Sequence, residues 1–281
     1  MVEVHYKRGF IHMMDLYGST NIEHKREVDI IIAQEVLFPN RESVKHVSPK
    51  GFLHSFGKTL VINLNRTEDE IFSDIHKNTR YKINRAEKRD SINYHELTAP
   101  TDEQIWEFKQ FFDQFAAQKK LPKANYGRLK SLRDKEALII SYATDEDATV
   151  LCYHAYVKVT GYCSLLYSAS ARFHNGEIRN KIGRANRYLH WQDMRSFKRM
   201  GLIWFDFGGL FVHASTDGEN HINRFKKEFG GEEVDVDKRI YPQSMIGRLV
   251  VFVFWLKMRK RSEFLRARRL ENNRTYVTKK T

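Results

Sequence analysis

Residue types able to do chemistry crowd into one part of this chain. The run Leu202-Ile-Trp-Phe-Asp206-Phe-Gly208-Gly209 is followed by Ile222-Asn-Arg-Phe225-Lys226-Lys-Glu-Phe229-Gly230-Gly231. Lys226 sits between the apolar Phe225 and Phe229 on one predicted helix, so its stem packs, and a packed ammonium is costly unless its charge is used. Asp206, at the C-terminal end of a predicted strand, could accept a substrate ammonium or orient a basic side chain. Gly208-Gly209 after that strand allows positive φ and a close approach of backbone to ligand. The plainer alternative is a turn with Asp206 as an ordinary cap and Lys226 snorkelling at the surface. Arg80, and after it Lys77 and Arg85, could clamp a phosphate or pyrophosphate, for which arginine supplies a planar bidentate fork. A basic helix is also often a solvated face. His213 and His221 flank the glycine pair and one could serve as a base, while Tyr167 could protonate a leaving group or fill space as a half-buried aromatic. The 12 histidines form no His-Glu-x-x-His spacing and there is no Cys-x-x-Cys, so no metal is expected. Neither a Gly-x-Ser-x-Gly elbow nor a Walker-type loop is present.

The elements that must position these residues can be read from periodicity. Up to about residue 65 the chain reads as strands and turns: Val28–Ile32 and Thr59–Leu64 as strands, Pro39-Asn40 and Pro49-Lys50-Gly51 as turns. Thr67 and Glu70 form a capping box that opens a helix, and His76–Arg89 reads as a basic helix with Ile83 and Ala86 on its buried side. Thr101 and Gln104 cap a further helix with Ile105, Phe108, Phe111, Phe112 and Phe115 at spacings of three and four. A short helix near Tyr126–Arg133 precedes three strands, Ala137–Ala143, Thr149–Val159 and Tyr162–Ala169. After a loop at Asn175-Gly176 come a long helix Ile178–Met200, a strand Leu202–Phe207, a helix near Glu219–Phe229, a strand Glu232–Arg239 and a final helix from about Gln243.

This order resembles that of the GCN5-related acetyltransferase (GNAT) fold. The aromatic-rich helix ending at Gly201, the strand closing in Asp-Phe-Gly-Gly and the Phe-Lys-x-x-Phe-Gly-Gly segment resemble the FemABX-type peptidyltransferases, which add amino acids to bacterial cell-wall precursors, and the wider FemAB-related acyltransferases. The Asn78-Thr79-Arg80 and Ile83-Asn-Arg85-Ala86 runs are similar to that family's pattern as well. The resemblance implies that Lys226 supports acyl transfer from aminoacyl-tRNA, through the donor's phosphate or the developing oxyanion. Asp206 would orient the acceptor, Arg80 would grip phosphate, and Gly208, Gly209, Phe225 and Tyr167 would line the substrate. Ordinary GNAT enzymes cradle the CoA pyrophosphate in Arg/Gln-x-x-Gly-x-Gly/Ala at the start of the central helix. Here that place reads Asn180-Lys-Ile-Gly183-Arg184-Ala185, a degenerate match in which Lys181 and Arg184 could still hold a phosphate. Aminoacyl-tRNA and acyl-CoA thus both stand as donors, and no cofactor is fixed. The inserted coiled-coil arm that aids tRNA binding in some relatives has no candidate here.

The fold class expected is mixed α/β: a GNAT-like domain with a central mixed sheet over residues 98–245, a smaller incomplete GNAT-like domain over 1–97, and a basic C-terminal helix or tail over 246–281. The chain has 281 residues, 41% apolar, with 48 Lys+Arg against 35 Asp+Glu, which excludes a wholly disordered chain. Ten basic and two acidic residues fall between Lys257 and Thr281, so an anionic partner is sought first at that end. Read as one helix, Val251, Phe254, Met258 and Leu265 share an arc, and the dense Lys/Arg that follows suits an interfacial helix on anionic lipid; the alternative is a core-covering Leu249–Leu256 with a frayed basic end. Cys152 and Cys163 lie in a hairpin around Thr160-Gly161 where Cys152 faces roughly Ala169, so no disulfide is expected and a reducing cytoplasm is. The location expected is therefore cytoplasmic, peripheral at the inner face of the membrane. The activity expected is acyl or aminoacyl transfer onto an amine of a cell-wall or glycan precursor. Its rivals are an acyl-CoA-dependent N-acyltransferase acting on a small molecule or sugar, and a non-catalytic tRNA- or membrane-binding module.

Overall fold

The structure, a computed structural model, describes residues 1–20, 22, 27–39, 53–171 and 176–278, with only the backbone for 271–278. The turns read at Asn40 and Pro49-Lys50-Gly51, and Asn175 of the later loop, lie outside the described residues. In chain order the elements begin with strands β1 (Val2–Arg8), β2 (Ile11–Tyr17), β3 (Ile30–Leu37) and β4 (Leu53–Asn63), then helices α1 (Glu68–Asp74) and α2 (Lys77–Lys88) and strand β5 (Asn93–Leu97). Helices α3 (Asp102–Lys119) and α4 (Tyr126–Asp134) precede β6 (Leu138–Thr144), β7 (Val150–Val159) and β8 (Tyr162–Ser170). The chain ends with α5 (Gly176–Arg199), β9 (Trp204–Leu210), α6 (Asp217–Lys227), β10 (Glu232–Pro242), α7 (Met245–Met258) and α8 (Ser262–Thr278).

The chain forms two contact units: Met1–Leu60 with Gly209–Arg224 and Glu233–Thr281, and Val61–Gly208 with Phe225–Glu232. The linear segments 1–97, 98–245 and 246–281 do not coincide with them, because a late strand pairs with early ones. In the first unit β1 pairs antiparallel with β2, β2 parallel with β3, and β3 antiparallel with β10, with Ile30 opposite Pro242. Ile11, Met13, Ile30, Ile240 and Val251 fill one side of this sheet, and Met14, Leu16, Ile31, Ala33 and Tyr241 the other. Alternate residues of β2 and β3 thus serve opposite faces, as a pleated strand covered on both sides requires.

In the second unit β5, β6, β7 and β8 form an antiparallel meander, and β9 joins β8 in parallel with Ser164 opposite Asp206. Both capping boxes are present: the Thr67 hydroxyl accepts from the Glu70 N–H, and that of Thr101 from the Gln104 N–H, with the reciprocal bonds made. Ile83 and Ala86 are fully buried on α2, and α3 buries Ile105, Phe108, Phe112 and Ala116 while Phe111 and Phe115 are half-buried. Cys152 faces Ser170 and not Ala169, because a bulge between Ala155 and Tyr156 shifts the register. Both cysteines are buried and free.

Two expectations about elements are corrected. The final helix is not one rod but α7 and α8, broken at residues 259–261. In an uninterrupted helix Val251 and Phe264 would project about 140° apart; the break lets both turn inward, to 9% and 5% exposure. The strand closing in Asp-Phe-Gly-Gly likewise does not stop before its glycines, since β9 runs through them to Leu210. None of the described helices is long and apolar enough to cross a membrane.

Candidate functional site

Strand β9 and the end of α6 bring Asp206, Gly208 and Lys226 together. Asp206 is 2% exposed and lies mid-strand. Its Oδ2 accepts from the Ser164 hydroxyl at 2.6 Å and its Oδ1 from the Gly208 N–H at 2.8 Å. These bonds tie β9 to β8 and hold Gly208 at φ +71°. A Cβ at Gly208 would stand 2.9 Å from the Leu165 carbonyl oxygen, so the left-handed backbone and the close strand both demand glycine. With its oxygens accepting from Ser164 and Gly208 and its carboxylate buried, Asp206 braces the strand.

Gly208 passes this brace on to the lysine: the Lys226 ammonium donates to the Gly208 carbonyl oxygen at 3.0 Å. Burial pushes the Lys226 amine down from 10.5 to about 8, and the nearby Asp206 charge partly opposes that fall. The amine is desolvated, and the residues beside it in the chain are packed. Phe225 and Phe229 are 5.5 Å apart edge to face, and both contact the His190 ring, at 5.6 and 5.4 Å. A desolvated ammonium docked on the carbonyl of a positive-φ glycine can stabilise charge developing on a carbonyl oxygen or hold an anionic donor.

The other predicted residues go elsewhere. The Arg80 guanidinium donates through one nitrogen, Nη1, to the carbonyl oxygens of Ser73 and Ile75, and so caps the C-terminal end of α1. Arg85 approaches Asp90 at 3.9 Å, and Lys77 is exposed in the first turn of α2. Arg184 makes a bidentate pair with the same Asp90. Gly183, Arg184 and Ala185 lie inside α5, which begins at Gly176, so they do not form a helix-opening phosphate cradle: their N–H groups point into the helix ladder. Tyr167 packs on α3, with ring centroids 4.7 Å from Phe112 and 6.1 Å from Phe108. Gly209 continues β9.

Two groups of residues escaped the sequence reading. Thr79 and Arg187 both donate to Glu228 Oε2, at 2.8 and 3.0 Å, and the Arg187 guanidinium lies 4.9 Å from the Phe225 ring centre. Burial beside Arg187 lowers the Lys82 amine from its usual range. This polar cluster of α2, α5 and residues 225–228 adjoins the lysine's aromatic collar. The second group is buried on β7 and α5. Asp193 Oδ2 lies 2.7 Å from His154 Nδ1 and accepts from the Tyr156 hydroxyl at 2.6 Å, while the Tyr94 hydroxyl donates to Oδ1 at 3.2 Å. The other ring nitrogen of His154 is 3.0 Å from Asn186 Oδ1. The His190 ring lies 4.1 Å from that of His154, tilted by 31°, and burial holds its imidazole well below the usual range and neutral. Ligand atoms of His154, His190 and Asp193 lie within 4.8 Å of one another, a geometry open to a metal. Hydrogen bonds already engage His154 and Asp193, and phenylalanines ring His190, so the set works as a packed polar core. The only sequence signal for it is the i, i+3 pair His190 and Asp193 on an otherwise apolar helix face.

No protein-family model matches the sequence, and no curated protein does. Solved structures do match in fold. FemX aligns at a TM-score of 0.55 and 10% identity, over 84% of this chain and 83% of that one. L-PGS from Bacillus licheniformis aligns at 0.53 and 14% identity, over 89% and 84%. The C-terminal (DUF2156) domain of an Agrobacterium fabrum protein designated a lysylphosphatidylglycerol synthetase aligns at 0.53 and 11%, over 89% and 83%. At these identities the likeness is one of fold. The mixed α/β, GNAT-like architecture of the FemABX type expected from the sequence is the fold this chain has.

Proposed function

We propose that this protein is an acyltransferase that moves an activated acyl group, in the first instance an aminoacyl group from aminoacyl-tRNA, onto a nucleophile of a cell-wall, glycan or lipid precursor. The observation that carries this reading is the buried Lys226 ammonium docked on the Gly208 carbonyl, where burial pushes its amine down to about 8. An ammonium kept in a half-buried site at that cost is suited to charge that appears only during reaction. The attacking amine or hydroxyl adds to the ester carbonyl, Lys226 stabilises the oxyanion, and collapse of the intermediate expels the donor's hydroxyl oxygen, which takes up the proton lost by the nucleophile. Asp206 acts as a positioning residue, through Ser164 and Gly208. Positioning and electrostatics carry the rate, with no covalent enzyme intermediate.

The names of the fold relatives support two acceptor classes. The FemABX resemblance points to a cell-wall amine, and the designation of the Agrobacterium fabrum relative points to a phosphatidylglycerol hydroxyl. An aminoacyl-tRNA donor is favoured over acyl-CoA because the helix-opening loop that would cradle a pyrophosphate is absent at residues 180–185, which lie within α5. The test is a donor screen on the purified chain. Charged tRNA mixtures and acyl-CoA mixtures are each offered with a cell-wall precursor, a sugar amine or phosphatidylglycerol, and mass spectrometry reads the acceptor. Transfer from charged tRNA supports the reading; transfer from acyl-CoA alone overturns the donor; no transfer from either, with a folded protein, overturns acyl transfer.

A further inference from the structure

Helix α7 is mounted in an unusual way. Its N-cap Ser244 accepts from the Gly247 N–H and donates to the Asp29 carboxylate. A Cβ at Gly247 would fall 2.1 Å from the Asp29 carbonyl oxygen, so glycine lets the helix lie directly on the start of the sheet. Val251, one turn on, enters the cluster of Ile11, Met13, Ile30 and Ile240. These two contacts fix which side of α7 faces inward. The outward side is apolar all the same. Met245, Ile246, Leu249, Phe252, Val253 and Leu256 project within an arc of about 120°, and each is 44 to 76% exposed. A contiguous apolar face of this kind on a folded surface marks a binding site.

Charge identifies what covers it. At the C-terminal end of α7 the surface opens into a concavity of about 830 Å³ between residues 211–219 and the start of α8. Five cations line it, Lys257, Lys260, Arg261, Arg266 and Arg269, against the carboxylates of Glu219 and Glu263. Arg266 is committed, to Asp235 at 2.8 Å and to the Phe56 ring; Lys257, Lys260, Arg261 and Arg269 are exposed. An apolar face ending in a cationic hollow has the chemistry of an interfacial helix with its headgroup site. The helix is 14 residues long, about 21 Å, short of the ~30 Å hydrocarbon core, so it lies in the interface and does not span it.

We propose that α7 seats this protein on an anionic phospholipid surface, with its outer face among the acyl chains and the Lys257–Arg269 hollow receiving lipid phosphate. The proposal is independent of acyl transfer. The full chain is sedimented with vesicles of phosphatidylcholine alone and of phosphatidylcholine with phosphatidylglycerol. Binding to the anionic vesicles is expected, weakening roughly fivefold for each cation neutralised in Lys260→Gln and Arg261→Gln. The double variant Leu249→Asp, Phe252→Asp should bind at least tenfold more weakly, with unchanged circular dichroism because both side chains are already exposed. Failure of the wild type to bind anionic vesicles overturns the proposal. So does binding insensitive to the α7 double variant, or capture of tRNA through the same cations without vesicle binding. A dimer that the α7 variant dissolves, with no vesicle binding, would assign the face to a second copy and equally refute it.

Discussion

Replacing Lys226 by methionine keeps the length of the stem and removes the charge, so it isolates what burial of the ammonium costs. Burial takes the amine from 10.5 to about 8, and at 1.36 kcal/mol for each pKa unit the fold carries a penalty of about 3 kcal/mol for holding the charged form. The Gly208 carbonyl, which accepts from the ammonium, offsets part of this, so about 3 kcal/mol is a ceiling. The sign follows from proton counting. Below about pH 8 folded and unfolded chains are both protonated at Lys226, and the penalty is present in full. Between about 8 and 10.5 the folded chain has released the proton while the unfolded chain still binds it, so stability contributed by this group rises with pH. The methionine variant has no such window. Urea unfolding of both proteins near pH 7 and near pH 10 should therefore show the wild type gaining on the variant by up to about 3 kcal/mol at the higher pH. Losses that do not change with pH cancel in that comparison. A stability difference that does not change with pH would mean that the ammonium is not desolvated, and the reasoning about its purpose would fall with it.

Other substitutions test the frame around the lysine. Gly208→Ala forces a side chain into φ +71° against the Leu165 carbonyl and should cost roughly 1–3 kcal/mol in urea unfolding; a neutral result would deny the close approach. Arg80→Ala leaves the Ser73 and Ile75 carbonyls without their donor and should destabilise by about 1–3 kcal/mol, with phosphate affinity by calorimetry unchanged. A fall in that affinity would restore the phosphate clamp. Asp193→Asn removes the carboxylate that faces His154 and two tyrosine hydroxyls and should cost about 3–5 kcal/mol, seen as a large drop in the denaturation midpoint.

The fold was legible where local chemistry decides it. Thr67 with Glu70 and Thr101 with Gln104 announce two helix starts because a capping box needs only residues three apart, and the phenylalanines of α3 repeat at helical spacing because one face meets a sheet. What escaped depends on partners distant in sequence. Nothing near Arg80 says that the carbonyls ending α1 would claim its guanidinium. Asp206 reads as a cap until Ser164, 42 residues away, is seen to occupy it. The glycines after it read as a turn, whereas β9 continues through them to Leu210. The His154–Asp193 core forms only when β7 and α5 pack. Lys226 was found because two flanking phenylalanines reveal a packed setting, a local signal, and the break between α7 and α8 was missed because its cause is the demand to bury both Val251 and Phe264.

The account rests on the Lys226 ammonium acting on charge that develops during acyl transfer. The most direct measurement is single-turnover transfer with the donor found by the screen, comparing the wild type with Lys226→Met and Lys226→Arg at saturating donor. The methionine variant should lose about 10²–10³ in the transfer rate while donor affinity stays within a few fold, and the arginine variant should recover part of the loss. A methionine variant that transfers within about twofold of the wild-type rate would contradict the account.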